Sequence, residues 1–136
     1  MIVTEIIGNL TADPELYERE YTNKETGEII KTKVCNFSVG ANEGFGERRL
    51  TQFFKVSAWR RLGEVSAAYL KKGNKVFVRG PVILKNYVDK TNAMRSALEI
   101  RADYIEFFDN KTRLTVTENG IVEIPETPDE EEIAPY

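Results

Sequence analysis

The stretch Thr51-Gln52-Phe53-Phe54-Lys55-Val56-Ser57-Ala58-Trp59 alternates between two kinds of side chain. Successive side chains of a β-strand point to opposite faces of the sheet. The two sets are Phe54, Val56 and Ala58 on one face, and Thr51, Phe53, Lys55, Ser57 and Trp59 on the other. The first set is wholly apolar and predicts core positions. The second set places two aromatic rings and a cation on the solvent side.

Other strand-like runs lie on both sides of this stretch. They cover residues 2–10, 34–41, 75–84 and 96–108, with turn residues between them. Residues 62–70 have the apolar spacing of a helix, and Gly73 follows as a helix-ending residue. Five strands with a helix between the third and the fourth predict an all-β fold, the five-stranded Greek-key OB barrel.

Two further segments predict hairpins outside this barrel. Residues 17–33 contain strand-like runs around the polar turn 23–27, which predicts a projecting hairpin. Residues 113–117 and 121–124 flank Asn119-Gly120, a dipeptide that favours a type I′ turn. We therefore expect an OB-fold domain over residues 1–110, an additional hairpin over 111–124 and a flexible acidic tail over 125–136.

The net charge of −3 hides an uneven distribution. Residues 118–136 contain seven acidic and no basic residues, so residues 1–117 hold 19 basic and 15 acidic ones. A body of charge +4 with a tail of −7 suggests a polyanion as partner of the body and a basic partner for the tail. The alternative is that the tail only keeps the protein soluble.

Composition argues against several classes of protein. Because the chain has no histidine and one cysteine, it cannot form an intrachain disulfide, a thiolate–imidazole zinc site or a histidine-based catalytic triad. We expect no catalysis, cofactor or metal. Cys35 has the setting of a buried strand residue rather than that of a reactive thiol. No apolar run has the length of a membrane span, so a cytoplasmic protein is expected.

Unpaired nucleic-acid bases would cover the exposed rings of residues 51–59. Every base has a π-face that stacks on an aromatic side chain, and nearby cations meet the phosphates. Two more aromatic residues are expected beside this face, Phe45 in a loop and Tyr87 at the end of a strand. The neighbouring basic residues are Arg48, Arg49, Lys55, Arg60, Arg61, Lys72 and Lys85. The alternative is that Phe53 and Trp59 pack under a neighbouring subunit.

A set of short motifs in fixed order suggests a family. They are Ile7-Gly8-Asn9-Leu10-Thr11-Ala12-Asp13-Pro14-Glu15-Leu16, Asn36-Phe37-Ser38-Val39, Thr51-Gln52-Phe53-Phe54-Lys55-Val56, Trp59-Arg60-Arg61-Leu62-Gly63-Glu64-Val65, Tyr69-Leu70-Lys71-Lys72-Gly73 and Val76-Phe77-Val78-Arg79-Gly80. Over about residues 2–108, and again at the C-terminus, the chain resembles the bacterial single-stranded-DNA-binding protein (SSB) family, a standard example of binding by base stacking.

This resemblance implies a homotetramer that single-stranded DNA wraps without strict sequence preference. It places the stacking aromatics at Phe45, Phe53, Trp59 and Tyr87, and basic contacts at Lys55, Arg61, Lys72 and Lys85. It implies roles in DNA replication, recombination and repair, close to the nucleoid. The chain departs from the family pattern at Phe45 and Tyr87, where tryptophan is more common, and in its longer 17–33 hairpin.

The chain ends in Asp129-Glu130-Glu131-Glu132-Ile133-Ala134-Pro135-Tyr136. The SSB family ends in an acidic run followed by a tip similar to Ile-Pro-Phe, which docks on genome-maintenance proteins. The resemblance therefore implies a partner-binding tail at Asp129, Glu130, Glu131, Glu132, Ile133, Pro135 and Tyr136. Here Ala134 is inserted and the final ring is a tyrosine. An OB-fold replication-accessory adaptor that acts mainly through protein contacts is the alternative function.

Overall fold

The described part of the chain contains nine strands and one α-helix. This description is based on a computed structural model and covers residues 1–108 together with the strand segments 113–117 and 120–124. The elements are β1 (Val3–Leu10), β2 (Glu15–Thr22), β3 (Ile29–Glu43), β4 (Leu50–Trp59), α1 (Arg60–Tyr69), β5 (Lys75–Val88), β6 (Met94–Arg101), β7 (Tyr104–Phe107), β8 (Arg113–Thr117) and β9 (Gly120–Ile124).

Five of the strands close into a barrel in the order β1-β3-β4-β6-β5, and β5 returns to β1. Strands β3 and β4 pair antiparallel from Val34 opposite Trp59 to Glu43 opposite Leu50. Strands β4 and β6 pair parallel, with Lys55 opposite Glu99. Strand β1 pairs with β5 along most of its length but with β3 only at Asn9 and Leu10. Parallel closure between β4 and β6 gives the Greek-key OB topology.

The core follows the alternation that the sequence predicts. Phe54, Val56 and Ala58 of β4 are buried. On β3 the core residues are Cys35, Phe37, Val39 and Ala41, so the odd positions of that strand face inward. Val34 is also buried but lies on the opposite face, beside Trp59. Because inward positions on both strands are apolar, the opposite positions define an outer face that is free to carry other chemistry.

Helix α1 comes between β4 and β5 in the chain, the third and fourth barrel strands, and packs mainly against β3 and β4. Leu62, Val65 and Ser66 are buried, and the Ser66 hydroxyl donates a hydrogen bond of 2.7 Å to the Leu62 carbonyl. Tyr69, seven residues after Leu62, shares the spacing of this buried face, but half of its surface is exposed. The helix ends at Tyr69, and Leu70 is already extended, so Gly73 belongs to the following turn rather than to the helix end.

The extra hairpins are present. Strand β2 pairs with the first half of β3, from Glu15 opposite Asn36 to Thr22 opposite Ile29. Strands β8 and β9 also pair antiparallel, and β8 joins the sheet through β7. The prediction of an OB barrel with one helix and additional hairpins is therefore confirmed. The division into three domains stays a prediction, because residues 125–136 lie outside the described residues.

One predicted strand is divided in the structure. Residues 96–108 were expected to form a single strand, but β6 ends at Arg101 and β7 begins at Tyr104. Both strands pair with β5, β6 with its second half and β7 with its first half. Within the described residues, no helix is long and apolar enough to cross a membrane.

Candidate nucleic-acid interface

The outer face of β4 carries the residues that the sequence placed there. Phe53 is 64% exposed, Lys55 is exposed, and Trp59 is half-buried. Their alternate neighbours Phe54, Val56 and Ala58 anchor the strand in the core. The core packing of β4 therefore fixes the direction in which both rings and the cation point. We call Thr51, Phe53, Lys55, Ser57 and Trp59 the β4 face.

Phe53 lies over a glycine of the neighbouring strand. It is opposite Gly40 of β3, and a Cβ atom added to Gly40 would lie 3.3 Å from Cε1 of the Phe53 ring. Glycine leaves the space that the ring uses. The ring therefore rests with one side against the β3 backbone, while most of its surface stays exposed to solvent.

Tyr87 reaches the β4 face from the end of β5. The Nζ atom of Lys55 lies 4.5 Å from the centroid of the Tyr87 ring. An ammonium group over an aromatic face is attracted by the ring quadrupole. This contact brings together a cation and an aromatic ring that are far apart in the sequence, as the proposed face requires.

The hairpin that carries Tyr87 is held by one carboxylate. Asp89 accepts hydrogen bonds from the backbone N–H groups of Thr91 (2.8 Å) and Ala93 (3.1 Å), from the Thr91 hydroxyl (2.6 Å) and from Arg95 Nε (2.8 Å). The Arg95 bond, then the bonds from the Thr91 hydroxyl and the Ala93 N–H, lower the pKa of Asp89 from 3.8 to about 2. The carboxylate is therefore ionised at neutral pH and orders the turn between β5 and β6.

Two adjoining depressions lie along the β4 face and share Ser57 and Glu99. The first, of about 420 Å³, includes Asp13, Asn36, Ser38 and Lys55 in its lining. The second, of about 580 Å³, includes Tyr21, Thr32, Trp59, Arg60 and Arg101. We call the two together the groove. The groove is open to solvent, and both polar and apolar side chains line it, among them Tyr21, Trp59 and Ile83.

The acidic residue Glu99 lines the groove and offsets part of its positive charge. Glu99 is in register with Lys55 across the β4–β6 pair, and its Oε2 lies 3.8 Å from Lys85 Nζ. Lys85, predicted as a phosphate contact, is therefore beside the groove but shares its charge with a carboxylate. Both side chains are partly solvent-exposed, so this ion pair is a weak one.

Several predicted residues lie outside the groove. Phe45 is 88% exposed in the loop between β3 and β4, where Arg48 and Arg49 are also exposed. This loop continues the β4 face beyond Thr51. Lys72 is exposed, and its backbone N–H donates a hydrogen bond of 2.8 Å to Asp13, which lines one end of the groove.

Arg61 faces a different part of the surface. Its Nη1 atom lies 3.7 Å from Glu64 within α1, and both residues line a separate depression with Glu18 and Lys33. Its neighbour Arg60 lines both that depression and the groove. Arg60, which the sequence indicated only as a nearby cation, thus lines the groove together with Trp59, whereas Arg61 lines only the other depression.

The groove includes residues that the sequence argument did not select. Glu99, Arg101 and Tyr21 line it from strands β6 and β2. A signal for Tyr21 was available, because Tyr17, Arg19 and Tyr21 alternate along β2 in the same way as the rings and the cation of β4. The predicted partner-binding tail, residues 129–136, lies outside the described residues.

This surface combines exposed aromatic rings with basic side chains. Within the residues that the structure describes, no group of three or more His, Cys, Asp or Glu side chains could hold a metal ion. The fold and the face together define the class of OB-fold proteins whose barrel face accepts oligonucleotides or oligosaccharides.

Comparison with known families makes the assignment specific. A model of the single-strand binding protein family matches residues 1–108. The chain belongs to this family.

Individual relatives agree with this assignment. A single-stranded DNA-binding protein of Neisseria meningitidis serogroup A is 33% identical over 103 residues, which cover 72% of this chain and 54% of the relative. Proteins with the same description from Thermotoga maritima (30% over 127 residues, 89% of this chain and 84% of the relative) and onion yellows phytoplasma (28% over 109 residues, 80% and 95%) are also similar. The aligned region spans about half the length of the Neisseria relative.

Proposed function

We propose that this chain is a non-catalytic protein that binds single-stranded DNA largely independently of sequence. The observation that carries the proposal is the Lys55–Tyr87 contact of 4.5 Å on the face that also exposes Phe53 and Trp59. An unpaired strand presents the π-faces of its bases and the negative charges of its phosphates. The exposed rings can stack on the bases, and the cation between them can contact a phosphate. Membership in the single-strand binding protein family supports the same ligand.

The proposed mechanism assigns the two kinds of side chain to the two parts of a nucleotide. Bases stack on Phe53, Trp59, Tyr87 and, from the loop, Phe45. The phosphates meet basic residues near these rings, which are Arg48, Arg49, Lys55, Lys72 and Lys85, together with Arg60 of the groove. Arg61, which the sequence predicted in this role, faces the depression beside α1 and would contact only a strand that continues there. Stacking, for which this family is a standard example, contributes roughly 1–3 kcal/mol per base, whatever the base. Sequence independence follows because every base has a π-face.

Replacing the two rings of β4 tests the proposal. We expect Phe53→Ala with Trp59→Ala to weaken binding of a labelled oligo-dT by about 2 kcal/mol or more, some 30-fold in Kd. Fluorescence anisotropy at fixed low salt measures the change. The single Trp59 gives a second readout in the unmodified chain, since its emission should be quenched when oligo-dT binds.

The matched control removes a ring elsewhere. Tyr69 on α1 is 50% exposed and does not line the groove, so Tyr69→Ala should leave the affinity unchanged. Equal affinity in the double variant and the unmodified chain would contradict the proposal. If that variant also kept its protein partners, an adaptor function would be favoured.

The wider biology is part of the same proposal. We infer a homotetramer that acts in DNA replication, recombination and repair in the cytoplasm, at the nucleoid. The C-terminal residues Asp129–Glu132, Ile133, Pro135 and Tyr136 would recruit genome-maintenance proteins, with an aromatic tip for an apolar pocket and carboxylates for basic residues around it. Family membership over residues 1–108 supports the roles in DNA metabolism, and the acidic run with its apolar tip supports the recruitment.

A further inference from the structure

The β2–β3 hairpin has two chemically different faces. Side chains alternate along β2, so one face carries Tyr17, Arg19 and Tyr21, and the other carries Glu18 and Glu20. The Arg19 guanidinium carbon lies 5.6 Å from the centroid of the Tyr17 ring. The first face thus repeats the ring–cation pattern of the β4 face.

The aromatic face of the hairpin continues the β4 face across the sheet. Val34 of β3 is opposite Tyr17 on one side and opposite Trp59 on the other. The three residues therefore form one row across neighbouring strands, which are ~4.8 Å apart. Farther along the hairpin, Tyr21 and Thr32 line the same depression as Trp59.

The charges of the hairpin are segregated in the same way. On the face away from the groove, Lys31 Nζ lies 3.9 Å from Glu18 and 3.6 Å from Glu20. Lys33, on that face, pairs with Glu64 of α1 at 3.9 Å. On the aromatic face the acid is Glu15, and its carboxylate accepts a hydrogen bond from the Tyr17 hydroxyl. A polyanion lying over this face would meet Arg19, while Glu18 and Glu20 are directed elsewhere.

Both tyrosines of the hairpin keep much of their surface exposed, although Val34, between Tyr17 and Trp59 on the same face, is buried. Tyr17 is 40% and Tyr21 48% exposed, and every residue of β2 is exposed. Two large rings that are held at the surface beside a groove, with a cation between them, are available to a ligand.

We propose that the β2–β3 hairpin extends the single-stranded DNA site beyond the barrel. This inference rests on the function proposed above. Tyr17 and Tyr21 serve as two additional base-stacking positions, and Arg19 contacts a phosphate between them. A bound strand passes from the β4 face, over Trp59, onto the hairpin. The two tyrosines are four residues apart on one strand, about 13 Å, which leaves room for the intervening nucleotide backbone to reach Arg19.

The dependence of affinity on strand length tests the proposal. The full chain and Tyr17→Ala with Tyr21→Ala are titrated with oligo-dT of increasing length, from about 6 to about 20 nucleotides, a range that spans the usual site size of one OB fold. The affinity of the variant for the shortest oligomers should change less than about twofold, because these fit on the β4 face. For the longest oligomers it should fall by about tenfold or more, as expected when stacking on two rings is lost.

Three further variants separate stacking from other effects. Tyr17→Phe with Tyr21→Phe keeps both rings and should bind as the unmodified chain does. Thr22→Ala with Ile29→Ala, a cross-strand pair on the opposite face, should also leave binding unchanged. Arg19→Gln should lower the slope of log Kd against log salt by about 0.7 with long oligomers only, since one phosphate contact on a single strand is lost.

The outcomes that would overturn the inference are distinct. Identical length profiles for the tyrosine-to-alanine variant and the unmodified chain would show that the hairpin holds no nucleotide. An equal loss of affinity for short and long oligomers would show that the substitutions act on the barrel site rather than on a hairpin site. If light scattering gave the tyrosine-to-alanine variant a different molar mass from the unmodified chain, the hairpin would be a contact between subunits. If the unmodified chain bound no oligo-dT at all, the proposed function itself would fail.

Discussion

Asp89 shows how one side chain positions part of the candidate site. Its carboxylate joins both ends of the β5–β6 turn, through Thr91 and Ala93 within the turn and Arg95 on β6. Tyr87 is in register with Arg95. The position of the ring over Lys55 therefore depends on an ionised carboxylate two residues farther along the chain.

This carboxylate predicts a specific pH dependence. Because the pKa of Asp89 is lower in the folded chain (about 2) than its ordinary value of 3.8, its contribution to stability is fully present above about pH 4. The contribution is lost as the pH falls through about 2. Carboxyl-carbon NMR should show Asp89 titrating near pH 2. In Arg95→Ala, which removes the largest cause, the pKa should move towards 3.8, and an unchanged value there would refute the assignment.

Single residues differ in how far the sequence predicts them. Cys35 was predicted to be a buried strand residue, and it is fully buried, with its pKa raised by that burial to about 11. The prediction needed only the local alternation. Glu99 could not be predicted, because its position beside Lys85 and opposite Lys55 depends on which strands become neighbours.

At the scale of elements, helix α1 approaches the barrel at a glycine. A Cβ atom on Gly63 would lie 2.2 Å from the carbonyl oxygen of Ala58 and 3.1 Å from the backbone nitrogen of Cys35. These neighbours are backbone atoms of β4 and β3, which cannot rotate away. The contact distance between the helix and the sheet is therefore set by the missing side chain.

Gly63→Ala should destabilise the protein although alanine is the better helix former. The substitution gains about 1 kcal/mol of helix propensity. Forcing an extra carbon into a packed contact typically costs about 1–3 kcal/mol. Because the neighbours here are backbone atoms, we expect a cost near the upper end of that range. Urea unfolding should therefore show a lower midpoint. Ala68→Gly is the matched control, because Ala68 is an exposed position of the same helix. It measures helix propensity alone and should lower the free energy of unfolding by about 1 kcal/mol. A higher midpoint for Gly63→Ala would contradict the packing argument.

Elements were predictable in number and type but less so at their ends. The period of two along β3 and β4 identifies the strands, and the spacing of Leu62, Val65 and Ser66 identifies the helix. The division of 96–108 into β6 and β7 was missed, although the buried positions shift by one residue, from Ile100 and Ala102 to Ile105 and Phe107. Which strand each half pairs with depends on the exchange of partners along β5, a long-range property.

At the scale of the whole molecule, the chain combines a basic body and an acidic end. The order of the barrel strands was predictable from five strand patterns and one helix, since few topologies fit that order. The continuity of the β2–β3 hairpin with the groove was not predictable. It depends on the register that places Tyr17, Val34 and Trp59 in one row.

The tail belongs to this scale, because it is proposed to link the DNA-binding body to other proteins. Deleting residues 133–136 should leave the affinity for oligo-dT within about twofold, a change of about 0.4 kcal/mol or less. The same deletion should abolish binding to replication and repair proteins immobilised on a sensor surface. Thr127→Ala, upstream of the acidic run, is the matched control and should retain both activities. Equal partner binding by the truncated and the full chain would contradict the role of the tail.

The ion pair of Glu99 with Lys85 bears on how long a bound strand would stay. A phosphate that approaches Lys85 must compete with a carboxylate already 3.8 Å away, and the same carboxylate lies in register with Lys55. A phosphate can bind Lys85 fully only when the Lys85–Glu99 ion pair separates. The cost of this separation lowers the net binding free energy of the phosphate contact. Released DNA would leave behind a surface whose cation regains its partner at once, which favours dissociation. Because both side chains are partly exposed, the ion pair is weak, and it shortens the residence of a strand at Lys85 only slightly.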